Sequence, residues 1–239
     1  MKYSPQEWLF TYFTAIMDFN EKKSTFNLFD ESGTVSSRGK FYNELNKGDY
    51  DKVGSIFIED LKSVDLTPIS SYFPNVTRIT IKKADLLSSL NGISGIKNLK
   101  DLSIESDVLT DFNSISKSIE LKTLDIENCP KSYDALEWLP GTLTHLILNA
   151  NYTRIADLSK FTALTNLTIY GEGSDLGSFP EFPASIKKLS LRGFPKFRDG
   201  SCFKNLSTKV YLNNMLDNEI ENLPESLSGI KWFIHPSKR

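Results

Sequence analysis

Asp125 and Glu127 stand two residues apart in a stretch where apolar and polar side chains alternate, Leu124 to Glu127. On an extended strand both carboxylates face one side, roughly 6.5–7 Å apart along the backbone. That spacing is compatible with two-carboxylate glycoside hydrolysis. Acid–base work also needs surroundings that raise one of the two pKa values, and an open strand surface offers none, so a solvated acidic face is the expectation. The two histidines, His145 and His235, lie four repeats apart and cannot share a zinc ion, and no Cys/His cluster compensates. Cys129 fits a buried structural position, and Cys202 has Lys204 near but no histidine partner to activate it. G-x-x-x-x-G-K-S/T, G-x-G-x-x-G and G-x-S-x-G are all missing from the sequence. No catalytic residue, metal site or cofactor is expected, and the chain is read as a non-enzyme.

The remaining chemistry is that of recognition, and a repeat must position it. An apolar triplet with the spacing L-x-x-L-x-L recurs as Val53-Ile56-Ile58, Val76-Ile79-Ile81, Leu99-Leu102-Ile104, Leu121-Leu124-Ile126, Leu143-Leu146-Leu148, Leu164-Leu167-Ile169 and Ile186-Leu189-Leu191. Ser207-Val210-Leu212 and Ile230-Phe233-His235 follow as degraded copies, and the middle residues advance in steps of 23, 23, 22, 22, 21, 22, 21 and 23. The L-x-L part specifies a short strand with its apolar residues inward and its polar residues outward. The outward positions grade from an acidic patch, Asp101, Glu105, Asp125 and Glu127, through His145, to a basic patch with tyrosines, Tyr170, Lys188, Arg192, Lys209 and Tyr211. Tyrosine and arginine are enriched at interface hot spots, and patches of opposite sign favour an oriented partner. A merely solubilising mixed surface is the even alternative.

At 239 residues with 39% apolar and 12% aromatic content, the chain can hold a continuous core. Its 28 basic and 30 acidic residues give a net charge of −2, against a dedicated nucleic-acid binder. Three repeats separate Cys129 from Cys202, a backbone gap of roughly 14 Å at one strand spacing per repeat, too wide for a disulfide. No apolar run reaches the ~18 residues of a membrane span. Trp8–Phe19 lacks the basic flank and cleavage site of a signal peptide.

That segment predicts a helix over 4–19, with Ser4 as N-cap, Pro5 in the first turn and Glu7 in a capping box. Trp8, Leu9, Tyr12, Phe13, Ile16 and Phe19 form its apolar stripe. A loop is expected over Asn20–Ser37 and a second short helix over Arg38–Asn46. Residues 1–50 would then be a helical cap over the open end of a stack formed by residues 51–239, about eight to nine repeats, as one unit. The returns between strands are too short for long helices. Phe112–Ser118 and Leu158–Phe161 can form a turn or two of helix or 3₁₀, and Phe179–Pro183 should be extended.

From Val53 to about Ile234 the repeat resembles the leucine-rich repeat family. The resemblance implies an α/β repeat solenoid with a parallel concave sheet and short irregular or 3₁₀ convex returns. Leu139-Pro140-Gly141-Thr142-Leu143, Phe182-Pro183-Ala184-Ser185-Ile186 and Leu223-Pro224-Glu225-Ser226-Leu227 resemble the L-P-x-x-L lead-in of effectors secreted by Gram-negative bacteria. Asn46-Lys47-Gly48-Asp49 before the first strand also looks like that branch. The family's Asn/Cys slot beyond the strand is filled by Cys129 and Asn151, but by Leu61, Ala84, Asp107, Glu172, Phe194 and Met215 elsewhere. Some such effectors carry a ubiquitin ligase with a Cys-x-Asp site. Here Pro130-Lys131 and Phe203-Lys204 follow the two cysteines, so that activity is not carried over.

The expected function is binding of a protein partner through the concave sheet by a monomer, without nucleic acid or a membrane span. The effector resemblance implies synthesis in a bacterial cytoplasm and delivery into a host cell without a cleavable signal peptide. The rivals are an adaptor or toxin-neutralising subunit of a bacterial complex, and an enzyme with a site at the cap–solenoid junction.

Overall fold

Each triplet places its last two apolar members on one face of an extended segment and leaves the residue between them on the other. The computed structural model describes residues 15–20, 25–30, 53–59, 64, 66–73, 75–126, 128–129, 132–149, 157–171, 176–213, 220–225, 227 and 231–233. The chain divides into two compact units, Met1–Leu121 and Lys122–Arg239.

In the first unit β1 (Ala15–Asn20) and β2 (Thr25–Asp30) form an antiparallel hairpin, Ala15 opposite Asp30 and Asn20 opposite Thr25. β2 then runs parallel to β3 (Ser55–Glu59), β3 to β4 (Arg78–Lys82) and β4 to β5 (Asp101–Ile104). Ile56, Ile79 and Leu102 share one register, and Ile58, Ile81 and Ile104 the next, all buried. Each such side chain contributes roughly 1.5–3 kcal/mol.

The hairpin corrects two expectations. The helix predicted over 4–19 gives way to strand from Ala15 onward, and the loop predicted over Asn20–Ser37 contains β2. Residues 1–14 and the predicted helix over 38–46 lie outside the described residues. Phe26 and Leu28 occupy the register positions of Ile56 and Ile58, so Phe26-Asn27-Leu28 is a further copy of L-x-L. Pairing along a sheet edge outweighed the helical spacing of the aromatic residues, as tertiary context often overrides local preference.

Returns cross the back of the sheet in short pieces. α1 (Thr67–Tyr72) lies beside the 3₁₀ turn Ile93–Gly95, and a further 3₁₀ turn spans Asn113–Lys117, within the segment predicted for one. Gly92 precedes the 3₁₀ turn with φ +94°, and a Cβ there would stand 2.1 Å from the Thr67 nitrogen. Only glycine serves.

In the second unit β6 (Thr123–Ile126), β7 (His145–Asn149), β8 (Asn166–Tyr170), β9 (Lys188–Arg192), β10 (Lys209–Asn213) and β11 (Lys231–Phe233) pair in parallel in sequence order. Leu124, Leu146, Leu167, Leu189 and Val210 share one buried register. In the returns on either side of β9 the buried filling changes from aliphatic to aromatic. Phe179 meets Phe194 edge-on with centroids 4.9 Å apart, and Phe182 stacks on Phe203 at 5.9 Å. Phe197 lies 5.3 Å from Phe179 and 5.7 Å from Phe203. Residues 176–183 form neither helix nor strand, in keeping with the helix-disfavouring effect of the two prolines.

The last repeats are phased differently from the even spacing. From Val76 to Ile186 the backbone N–H at the first triplet position closes a turn onto the carbonyl three residues back, as Leu164 does on Phe161 and Ile186 on Pro183. The next two donors are Leu206, onto Phe203, and Leu227, onto Pro224. Buried Leu206, not exposed Ser207, therefore fills the slot. Leu212 pairs with Trp232, so Trp232, rather than the predicted His235, takes the last position of the final copy. Register follows the turn bond, not the average period.

Candidate functional site

The outward residues of β6–β10 fall into rows across the strands. The first row is Thr123, His145, Asn166, Lys188 and Lys209, and the second is Asp125, Ile147, Thr168, Ser190 and Tyr211. Asn149, Tyr170, Arg192 and Asn213 make the third. Five sequence-predicted residues thus converge on three adjacent strands. Tyr170 ends β8, Lys188 and Arg192 start and end β9, and Lys209 and Tyr211 lie on β10.

Their side chains interact. The Arg192 guanidinium lies 5.2 Å from the Tyr170 ring centroid. Its Nη1 donates to the Tyr170 hydroxyl at 3.2 Å and its Nε to Ser190 Oγ at 3.3 Å. Lys188 Nζ lies over the Tyr211 ring, 5.8 Å from its centroid. Cation–π pairs at exposed sites contribute about 0.5–1 kcal/mol each. Ser190 is buried between its long neighbours, giving the middle row a small floor. His145, on β7, is exposed and its Nδ1 is 2.9 Å from Thr144 Oγ1. Asp125 is half-buried on β6, and Glu127 lies outside the described residues.

Asp101 and Glu105 belong to the first unit, where the surface is mixed rather than acidic. Asp101 accepts from Arg78 Nη2 at 3.1 Å and Nε at 3.3 Å across β4 and β5. Glu105, just beyond β5, is half-buried, and its backbone bonds to Ile81 and Ala84.

Comparison with family profiles and with curated proteins returned no match. Among solved structures, internalin C2 of Listeria monocytogenes is similar with a TM-score of 0.50 at 15% identity, over 80% of this chain and 84% of that one. The fold is a leucine-rich repeat. A leucine-rich repeat protein of Leptospira interrogans is similar at 14% identity and TM-score 0.45, over 79% of this chain and 63% of its own. The Listeria internalin inlF is similar at 12% and 0.35, over 86% and 92%.

One feature of this leucine-rich repeat escaped the sequence reading. Thr77, Thr144, Thr165 and Thr208 each donate their hydroxyl to a carbonyl of the preceding repeat, from Gly54, Lys122, Thr144 and Lys187 respectively. The carbonyls of Gly54, Lys122 and Thr144 also accept backbone N–H groups, for example Thr165 and Asn166 on Thr144 at 2.9 and 3.0 Å. This threonine ladder satisfies backbone groups at the strand entrance, where the sequence had drawn attention only to the sparse asparagines at the exit. The signal was present: threonine recurs two residues before Ile79, Leu146, Leu167 and Val210.

Burial, with Asp199 nearby, pushes the Cys202 thiol up to about 12, so it is not a nucleophile at neutral pH. Cys129 is also buried and unbridged. A depression on the return side of the second unit is lined by Asp157, Ser159, Glu181 and Asn205 among others. Hydrogen bonds from Lys204 and Asn205 hold the Glu181 carboxyl below its usual range, and Ser159 does the same for Asp157. Among the described residues no three His, Cys, Asp or Glu side chains gather as a metal site, and no helix is long and apolar enough to cross a membrane.

Proposed function

We propose that this leucine-rich repeat is a non-enzymatic protein-binding module whose interface is the outward face of β8–β10. The observation that carries this reading is the ordered cluster of Arg192, Tyr170, Lys188 and Tyr211. Two cations are held against two aromatic rings on a rigid sheet. Such residues supply area and charge at little ordering cost. The setting we favour is an effector made in a bacterial cytoplasm and delivered into a host cell. The L-P-x-x-L lead-ins support it, and the turns from Leu143 to Pro140, Ile186 to Pro183 and Leu227 to Pro224 give those lead-ins one common backbone role.

Pull-down from host-cell lysate, with quantitative mass spectrometry, tests the reading. A specific partner retained by the wild type and by Lys117→Glu, but lost with Tyr170→Ala or Arg192→Glu, is the expected result. Lys117 sits on a return in a 3₁₀ turn. Lys160 is a poorer control, because its Nζ donates to the Glu137 carbonyl at 2.9 Å and covers Phe161. Loss of the partner with Lys117→Glu alone would move the interface to the returns.

A further inference from the structure

We propose that the β8–β10 face recognises an acidic segment of its partner. Two carboxylates would flank an apolar or aromatic side chain, one seated on Lys188 and Lys209 and the other on Arg192. The inference rests on the reading that this face is the interface, and adds the chemistry of what it binds.

Charge comes first. The outward positions of β8, β9 and β10 carry Lys188, Arg192 and Lys209 and no carboxylate. The ion pairs among the described residues, Arg78–Asp101 and Lys204–Glu181, lie elsewhere. Three cations share a surface of three strands, although the chain as a whole carries −2. Lys188 and Lys209 are paired across adjacent strands, roughly 4.8 Å apart at the backbone. Arg192 is four residues along β9, roughly 13 Å away.

Geometry then selects the occupant. Arg192 is oriented by Tyr170 and Ser190, which take two of its five N–H groups and leave three for a forked carboxylate. Between the two cationic ends the small, buried Ser190 and the half-buried Tyr211 form an uncharged middle. An extended segment along β9 meets both ends when its acidic residues are four positions apart, with one apolar residue at the centre. Nucleic acid fits less well, because it demands a continuous basic track for successive phosphates, and here two cationic ends flank a neutral floor.

The test uses the full chain labelled with ¹⁵N and the blocked peptide Gly-Glu-Ala-Phe-Ala-Glu-Gly, with its Gln-for-Glu twin. The expected result is saturable amide shifts confined to β8–β10, at least about tenfold weaker for the twin and weakened by salt. Lys188→Gln and Arg192→Gln should each reduce the affinity, and the combination abolish it. If a variant fails to fold, the comparison of the twin peptides on the unaltered chain decides. Equal binding of both peptides on this face overturns the acidic inference and leaves the interface reading standing. Shifts confined to the returns or to the first unit overturn both. The absence of any shift up to about 10 mM peptide, or tighter binding of a single-stranded thymidine oligonucleotide to the same face, overturns the acidic segment.

Discussion

On β4 and β5, Arg78 and Asp101 stand side by side and hold each other at 3.1 Å. On β8 to β10, Arg192 and Lys188 instead meet the faces of Tyr170 and Tyr211. Both surfaces come from the same alternation on the same kind of strand. An ion pair cancels its own field, whereas a cation on a ring is ordered without being neutralised. The second surface is therefore preorganised and still charged, which suits it to a partner. The interiors differ in parallel. The first unit is filled mainly by Ile and Leu, and the second adds linked phenylalanines in the returns that flank β9.

The severest way to break the comparison is to remove one platform and watch the other. Gly92→Val in the first unit forces a β-branched side chain into φ +94° and against the Thr67 backbone. A loss of about 3 kcal/mol or more is expected. Hydrogen exchange should localise it around α1 and the turn at Ile93–Gly95. Unchanged protection there would show that the turn can re-form without glycine.

Phe197→Ala attacks the other platform. Phe197 is fully buried and touches Phe179 and Phe203, so its loss should cost about 3–5 kcal/mol. Calorimetry checks the stability, and partner binding should fall with it. Full binding by a clearly destabilised variant would mean that the aromatic filling does not support the face.

Tyr170→Ala and Arg192→Glu separate surface from platform. Binding should weaken by roughly 2 kcal/mol with stability changed by only about 1 kcal/mol, the worth of the lost cation–π contact. Association should slow as salt rises. A fall in melting temperature equal to that of Phe197→Ala would recast both residues as structural.

Cys202 gives a pH probe of the second unit. Its folded pKa, about 12, lies above the usual value of 9.0. The unfolded thiol ionises first as pH rises, so the stabilisation is complete below pH 9 and is lost between pH 9 and 12. A decline on the order of 1 kcal/mol is expected by pH 10, absent in Cys202→Ala. Thiol reagents at neutral pH should label the site only as fast as the second unit opens.

The sequence made the middle of the fold legible because the triplet does two jobs at once. Its L-x-L part sets strand and face, and its first leucine closes the return turn. The ends obeyed other terms. At Ala15–Asn20 the aromatic spacing fits a helix, but pairing through β2 to β3 decided for strand. At Trp232 a shorter return moved the register by more than the average period could show. The strand placement of the basic candidate residues was legible because outward positions follow from alternation alone. The acidic half was not, since the Arg78–Asp101 pair depends on register between strands, which no single strand encodes. The supporting roles of Ser190 and the threonine ladder are likewise contacts between repeats.

The smallest effect belongs to that ion pair, and it gives the sharpest test of the comparison. Arg78 and Asp101 are exposed to 62% and 33%, so water and salt screen their attraction. Exposed pairs of this kind contribute about 0.2–1 kcal/mol. Exchanging them, Arg78→Asp with Asp101→Arg, preserves the pair across β4 and β5 and reverses its direction. Denaturant unfolding should register a change below about 0.5 kcal/mol, and partner binding should not move. Asp101→Arg alone places two cations side by side, imitating the uncompensated charge of β9 without its tyrosines. Stability should then drop slightly, more at low salt than at high. If this single change also made the first unit bind the acidic peptide as tightly as β8–β10, charge alone would suffice. If it does not, the rings under Arg192 and Lys188, and the order they impose, are what distinguish the two faces.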